Sequence, residues 1–309
     1  MMQGIRKTIL KISPFNGVIK STERAIVLGI AAAFCYSAMA FLVKFVADST
    51  TESMTVFFRI GVNLFWVMSV LGYKRWRGQH FPLKTRRPGL HLLRAVSGFV
   101  TAFSFFAALR YVPLVNATLL VMTYTLFIPV LSFIFLGTKT STENWLALGV
   151  GFVGVIFILK PDGGSFHPMM LLALLAGFSS AVAFLGVHEL AKEDNVYTIM
   201  FYSLSLPFVL SSVFCVLNWR TPDLRMVLMF IMIGVVGTAY QELLTRALLH
   251  APPKIVSPLL YLSVVFSGFL GWLVWGYVPG LFFLVGMILV ILGCIFSIRY
   301  AKRSLPPAP

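Results

Sequence analysis

Ala108-Leu109-Arg110-Tyr111-Val112-Pro113 returns as Ala247-Leu248-Leu249-His250-Ala251-Pro252, 139 positions later, and the register holds on either side. At that offset Gly98 falls on Gly237, Thr118 on Ser257, Gly137 on Gly276 and Gly154 on Gly293. An offset that persists over so long a stretch marks a duplicated unit. Nearer the start of each copy the better offset is 144, which sets Phe34 on Phe178 and Lys44 on His188.

The composition decides the solvent of the two copies. Of 309 residues 59% are hydrophobic and 11% charged, with a mean hydropathy of +0.90, too little polar material to cover a water-soluble globule of this size. The chain reads as an integral membrane protein whose partner is the lipid bilayer. A formal charge of +15 is also what a nucleic-acid binder carries, but there the basic residues share a solvated face. Here they sit between apolar runs, so nucleic acid is excluded as a partner. Cys35, Cys215 and Cys294 stand singly in apolar stretches and read as packing residues. The first 24 residues hold Arg6, Lys7, Lys11, Lys20 and Arg24 but no apolar run long enough for a signal peptide, so the tail is expected to stay on the chain, mobile or as a short interfacial helix.

With roughly 20 residues to a crossing, ten spans emerge: 25–46, 53–73, 90–110, 113–137, 144–160, 168–191, 197–217, 226–249, 255–276 and 279–298. Short connections such as Lys160-Pro161-Asp162-Gly163-Gly164 join them. The expected fold class is an all-α membrane protein of ten transmembrane helices. It divides into a cytoplasmic tail 1–24, five-helix repeats at 25–160 and 161–300, and a second tail at 301–309. Seventeen Lys and Arg fall in the termini and one set of alternate loops, against four (Arg110, Lys160, Arg220 and Arg225) in the other set. Both termini are therefore expected in the cytoplasm of a bacterial inner membrane. The repeated phrase ends span three on the outside and span eight on the inside. Five crossings lie between them, so the copies are inverted relative to each other, an architecture found chiefly in transporters.

An ionisable residue at bilayer depth costs about 2.5–3.5 kcal/mol on insertion scales and should face a partner or a wet cavity. Lys44, Arg59, Arg94, Arg246, Glu189 and Glu242 lie inside spans. On span eight, Thr238, Gln241, Glu242, Thr245 and Arg246 recur at helical spacing and make a polar face. Span three repeats it weakly in Arg94, Ser97, Thr101 and Ser104. Span one offers Tyr36, Ser37 and Lys44, span four Thr118, Tyr124, Thr125 and Ser132, and span nine Ser257, Tyr261 and Ser263. These faces are expected to enclose a central polar cavity.

Plainer roles compete for each residue. Ser and Thr often bond their own helix backbone, and Glu242 with Arg246, four apart, can neutralise each other. Lys44 and Arg59 are expected near the outer surface and Arg94 near the inner one, where long stems reach the interface. Pro129, Pro207 and Pro258 lie inside spans and are expected to kink them. No pair among His80, His91, His167, His188 and His250 has ligand spacing, and His188 with Glu193 and Asp194 is the nearest approach to a catalytic spacing. No glycine-rich phosphate loop of the Walker kind is present. The chain is expected to be no enzyme, without cofactor or metal.

Together, the ten spans, the two inverted copies, Lys44 near the end of span one, Arg59 in span two and the Ala-Leu-x-Tyr-x-Pro turn resemble the drug/metabolite transporter superfamily, in its EamA branch, over about residues 25–300. Leu244-Thr245-Arg246-Ala247, Ala251-Pro252, Pro258-Leu259 and Tyr261 look most like a sub-branch holding S-adenosylmethionine and riboflavin uptake transporters. Many members carry Glu after the Leu-Gly that closes spans four and nine, where this chain has Leu136-Gly137-Thr138 and Trp275-Gly276-Tyr277, so that glutamate's role has no bearer here. The resemblance implies a ten-helix bundle that moves a small metabolite by alternating access between its halves, and it is compatible with a homodimer.

The expected substrate is small, polar and aromatic or nucleoside-like. Tyr36, Tyr124, Tyr240 and Tyr261 are candidates to stack on a ring, Gln241 or Glu242 to fix a polar or cationic group, and Arg246 or Arg94 to hold a carboxylate or phosphate. Ser37, Lys44 and Thr101 complete the candidate set. Glu242 is also the candidate for proton coupling, with exchange free of ion coupling as the alternative. The second copy carries charge where the first does not, Glu242 against Phe103 and Arg246 against Ala107, so specificity is expected mainly on span eight. The competing class is a membrane-embedded lipid-handling protein or enzyme without transport activity, expected if Glu242 and Arg246 face lipid-binding grooves.

Overall fold

The computed structural model describes residues 14–78, 85–137, 141–159, 167–190, 193–250, 256 and 259–303. Among them the chain is helical, without a strand: α1 (Pro14–Val46), α2 (Glu52–Trp76), α3 (Pro88–Tyr111), α4 (Leu114–Met122), α5 (Tyr124–Leu136), α6 (Thr142–Leu159), α7 (Met169–Leu190), α8 (Val196–Leu217), α9 (Leu224–His250), α10 (Leu262–Trp275) and α11 (Leu281–Arg303). Seven helical stretches are long and apolar enough to cross a membrane, the fourth being α4 and α5 taken together, and α6, α10 and α11 add shorter apolar helices. Each predicted span is occupied by helix in its described part. α1 begins at Pro14, upstream of span one, and the tail before it lies outside the described residues, as does Pro258.

Local chemistry sets the ends. Thr51 and Asn195 accept hydrogen bonds from the Met54 and Thr198 amides at the starts of α2 and α8, and Asp223 does the same for Met226 at α9. α5 and α10 end on Gly137 and Gly276, at φ +62° and +63°, the left-handed conformation that a side chain would strain. These two glycines are 139 residues apart. Span four is interrupted at Thr123 rather than at Pro129, through which α5 runs on, and α8 likewise runs through Pro207. Next to the interruption, the Tyr261 hydroxyl donates to the Met122 carbonyl at 3.2 Å and meets the Thr125 hydroxyl.

The outside of the bundle is apolar and the inside partly polar, the arrangement a lipid solvent favours. Phe65, Phe135, Val216 and Leu281 are largely exposed, whereas Ser37, Asn63, Thr118 and Ser267 are buried. Thr118 donates to Ser267 across the α4–α10 contact at 3.1 Å. α6 and α11 pack closely because their glycines leave no room for a side chain. A Cβ on Gly154 would stand 2.7 Å from the Gly286 carbonyl oxygen, and one on Gly286 the same distance from the Gly154 oxygen.

The pattern of packing has an order of its own. α1 packs on α9 and α3 on α7, α2 on α9 and α3 on α8, and α1 on α10 while α4 and α5 pack on α7. α2 with α8, α4 with α10 and α6 with α11 also pack across the halves. Exchanging each span for the one five later maps these contacts onto themselves.

Candidate functional site

A central cavity of about 200 Å³ lies among α1, α2, α3, α4, α5, α7, α8 and α9. Its walls repeat the offsets seen in the sequence. Tyr36 and Met39 on α1 correspond at 144 to Ser180 and Ala183 on α7. Arg59, Ile60 and Asn63 on α2 correspond at the same offset to Ser203, Leu204 and Pro207 on α8. Thr101, Ala102, Phe105 and Phe106 on α3 correspond at 139 to Tyr240, Gln241, Leu244 and Thr245 on α9. The two sides match in position and differ in chemistry.

The charge in this cavity belongs to Arg59 and Arg94, and no Asp, Glu, Lys or His among the described residues lines it. Among the described residues no carboxylate stands within 4.0 Å of either guanidinium. The Nε atoms of both, the Asn63 Oδ1 and the Ser203 Oγ are buried without a hydrogen-bond partner. Four unsatisfied polar atoms in one chamber are far from the rule that buried polar groups are paired. Arg59 lies over the Phe106 ring at 5.5 Å, which offsets only part of its burial.

Glycines make room for both arginines. A Cβ on Gly237 would meet Arg59 Nε and Met39 Sδ at 3.1 Å, and one on Gly98 would collide with Arg94 Nη1. Gly98 and Gly237 are a matched pair of the duplication, so the same position in each half seats one guanidinium. Tyr240 lies within electrostatic reach of both arginines. Its ring meets that of Tyr36 edge-on at 5.0 Å, while Tyr36 stacks on Phe105 and Tyr124 on Phe184 at 5.7 and 4.9 Å. The chamber thus offers cations and ring faces.

Of the predicted residues, Tyr36, Thr101, Tyr124, Tyr240 and Gln241 come together in this cavity, and Ser37, Lys44, Glu242, Arg246 and Tyr261 do not line it. Ser37 donates to the Ser263 carbonyl at 2.8 Å, joining α1 to α10. Tyr261 bridges to the break in span four. Lys44 donates to the Leu109 and Val112 carbonyls, both at 2.8 Å. The repeated phrase supplies the reason: Pro113 has no N–H to give the Leu109 carbonyl four residues earlier, and Lys44 takes its place. Thr101 and Thr245 each also bond a carbonyl of their own helix, and Thr125 bonds the Met122 carbonyl across the break between α4 and α5.

Glu242 and Arg246 pair with each other and face a lateral groove of about 980 Å³ between α2 and α9, walled by Phe57, Phe65, Trp66, Ile231 and Val235. Trp66 Nε1 donates to Glu242 at 3.0 Å. Phe65 and Trp66 are largely exposed on the lipid side, so acyl chains can fill this groove. The split follows from the helix turn of about 100° per residue. Gln241 and Thr245 fall on one side of the span-eight stripe, Glu242 and Arg246 on the other, and the stripe straddles the wall of the cavity.

Arg59 and Arg94 are therefore not the interfacial residues their positions predict. Arg94 folds back over Gly98 on its own helix, and Arg59 runs inward past Gly237. The signal for both was present: a glycine four residues after Arg94, a matching glycine in the other copy, and Asn63 one turn from Arg59.

At the end of the bundle holding the start of α3, the halves are tied together. His91 Nε2 lies 2.8 Å from Asp194 Oδ2, Thr85 donates to the same oxygen at 2.8 Å, and Arg87 pairs with Glu193. Glu193 and Asp194, which the sequence sets near His188, serve as structural ties to the other half. The described residues contain no group of three potential metal ligands.

Sequence and structure comparisons bear on the family and the fold. The profile of the EamA-like transporter family matches residues 23–160 and again 167–299. The chain is 28% identical to the pseudopaline exporter of Pseudomonas aeruginosa over 92% of its length and 99% of the exporter's. It is 26% identical to an S-adenosylmethionine uptake transporter of Rickettsia bellii, covering 86% of this chain and 94% of that one. A riboflavin transporter of Vibrio cholerae is 28% identical over 77% and 80% of the two chains. A crystal structure superposes with a TM-score of 0.59 at 18% identity, covering 92% of this chain and 99% of that one, a likeness of fold.

Proposed function

The chain belongs to the EamA-like transporter family, and from that premise we propose that it is a secondary transporter that moves a small polar metabolite through its central cavity by alternating access. That it is a multi-pass bacterial membrane protein and a transporter rather than an enzyme follows from the family and the relatives. The finer reading is ours: ten crossings in two inverted five-helix repeats, 25–160 and 161–300, with both termini in the cytoplasm.

One observation carries it. The cavity is lined by matched positions of both copies, and it holds polar groups with no partner among the described residues. A site shared between inverted halves is exposed to either side when one half rocks against the other. The ties at His91, Asp194, Arg87 and Glu193 join the first half to the second at one end, and opening toward that end requires them to part. Tyr36, Thr101, Tyr124, Tyr240 and Gln241 are the proposed contacts, together with Arg94, which the sequence offers for a carboxylate or phosphate, and Arg59, added from the geometry. A ring-bearing substrate would find faces in Tyr36, Tyr124 and Phe105.

The lateral groove with Glu242 and Arg246 is the observation that favours the lipid-handling reading. It stands outside the chamber, and its charged groups are already satisfied. The test is reconstitution in proteoliposomes of ligands found by a thermal-shift screen, S-adenosylmethionine and riboflavin among those tried. Saturable uptake, lost in Tyr124→Ala, is expected. Lipid scrambling without solute uptake would overturn the transporter reading.

A further inference from the structure

We propose that the central cavity selects a small organic anion, with oxyanion groups, carboxylate or phosphate, set against Arg59 and Arg94. This rests on the transporter reading above and gives it a substrate class.

The argument is one of charge balance. Two guanidiniums occupy a chamber with no other charged side chain among the described residues of its lining. Three arginines elsewhere in the described chain have acid partners: Arg87 with Glu193, Arg110 with Glu52 at 3.1 Å, and Arg246 with Glu242. Acids thus stand against these three arginines, and no described acid lines the chamber. An unpaired buried cation is costly, and a protein keeps one where something outside the protein neutralises it. Guanidinium is the group suited to that work, because its fixed fork of N–H donors fits carboxylate and phosphate oxygens two at a time.

The seats strengthen the case. Gly98 and Gly237 hold the arginines in place by leaving space that any side chain would take. The orphaned Asn63 and Ser203 atoms add polar contacts beside them. The remaining walls, Tyr36, Phe105, Tyr124 and Phe184, fit a carbon skeleton rather than a bare inorganic ion. A cationic or neutral solute would leave both arginines unmatched, and the field of the two would repel the cation.

The experiment melts the full-length protein in detergent with sodium citrate, succinate or glycerol phosphate, and with putrescine or glucose, all at matched ionic strength. At least one anion should raise the melting temperature by about 3 °C or more, with citrate and succinate against glycerol phosphate telling carboxylate from phosphate. Arg59→Gln and Arg94→Gln should lose that rise yet melt at or above the unliganded native protein, because each removes an unmatched charge. Should a glutamine variant fail to fold, Arg59→Lys and Arg94→Lys keep the charge without the fork and should weaken the response at least about tenfold.

A rise from no anion, from putrescine or glucose alone, or one that persists in both variants overturns the proposal. Proteoliposomes separate it from the reading beneath it. An anion shift without uptake removes transport and leaves the site. Uptake of a neutral or cationic solute that anions do not inhibit leaves transport and removes the anion.

Discussion

The central cavity and the lateral groove carry the same kinds of residue to opposite ends. In the groove, Arg246 meets Glu242 and Glu242 meets Trp66, so both of its charged side chains have their partners within α2 and α9. In the cavity, Arg59 and Arg94 have none among the described residues. The groove is the larger and the more apolar, and by size alone it would be taken for the binding site. What separates the two is satisfaction of charge. A matched pair needs nothing further, while the unmatched cations of the cavity are the groups that the proposed anion would neutralise.

That contrast can be broken by giving the cavity its own counter-ion. Asn63→Asp places a carboxylate one helical turn from Arg59, and it should raise the melting temperature while lowering anion uptake by about a hundredfold, the scale of a lost buried charge pair. Stable protein with unchanged uptake would mean that Arg59 does not touch substrate. A milder test moves the seat. Gly237→Ala pushes a methyl group to 3.1 Å from Arg59 Nε and Met39 Sδ, so KM should rise about tenfold with the fold intact. Normal KM in a correctly folded variant would show that the seat does not set the position of the arginine. The smallest effect belongs to the groove. Glu242→Gln should keep uptake and its pH dependence within about twofold and cost about 0.3–0.5 kcal/mol, as for an exposed pair four residues apart. Loss of uptake there would restore the proton-coupling role that the sequence allows Glu242.

The repeat was legible because it is written in residues with few substitutes. Gly137 and Gly276 end helices at positive φ, and the Leu-x-x-x-Pro phrase leaves a carbonyl that Lys44 must serve. The helices were legible from apolar length alone. The site was half legible. Tyr36, Thr101, Tyr124, Tyr240 and Gln241 reach the cavity because their helix faces turn inward. Glu242 and Arg246 drew notice because charge is rare in a span, yet one residue of helix rotation decides between cavity and lipid. Charge in the second copy therefore pointed to α9, while the unmatched charge sits on α2 and α3. Arg59 was hidden and Arg94 left between cavity and interface because a long side chain reaches several ångströms from its Cα, and only packing against glycines shows which way it goes.

The matched glycine seats of Gly98 and Gly237 bear on the energetics of the return stroke. A chamber that travels empty carries two bare positive charges through its occluded state, and one that travels loaded does not. Turnover should therefore be slow when no second solute waits on the far side and fast when one does. The membrane voltage, which acts on uncovered charge at about 2.3 kcal/mol per unit charge per 100 mV, would then bias the empty passage rather than the loaded one. Efflux from preloaded vesicles into anion-free buffer, compared with efflux into buffer containing the same anion at clamped potential, measures the difference. Equal rates would mean that the empty chamber shields its arginines by other means.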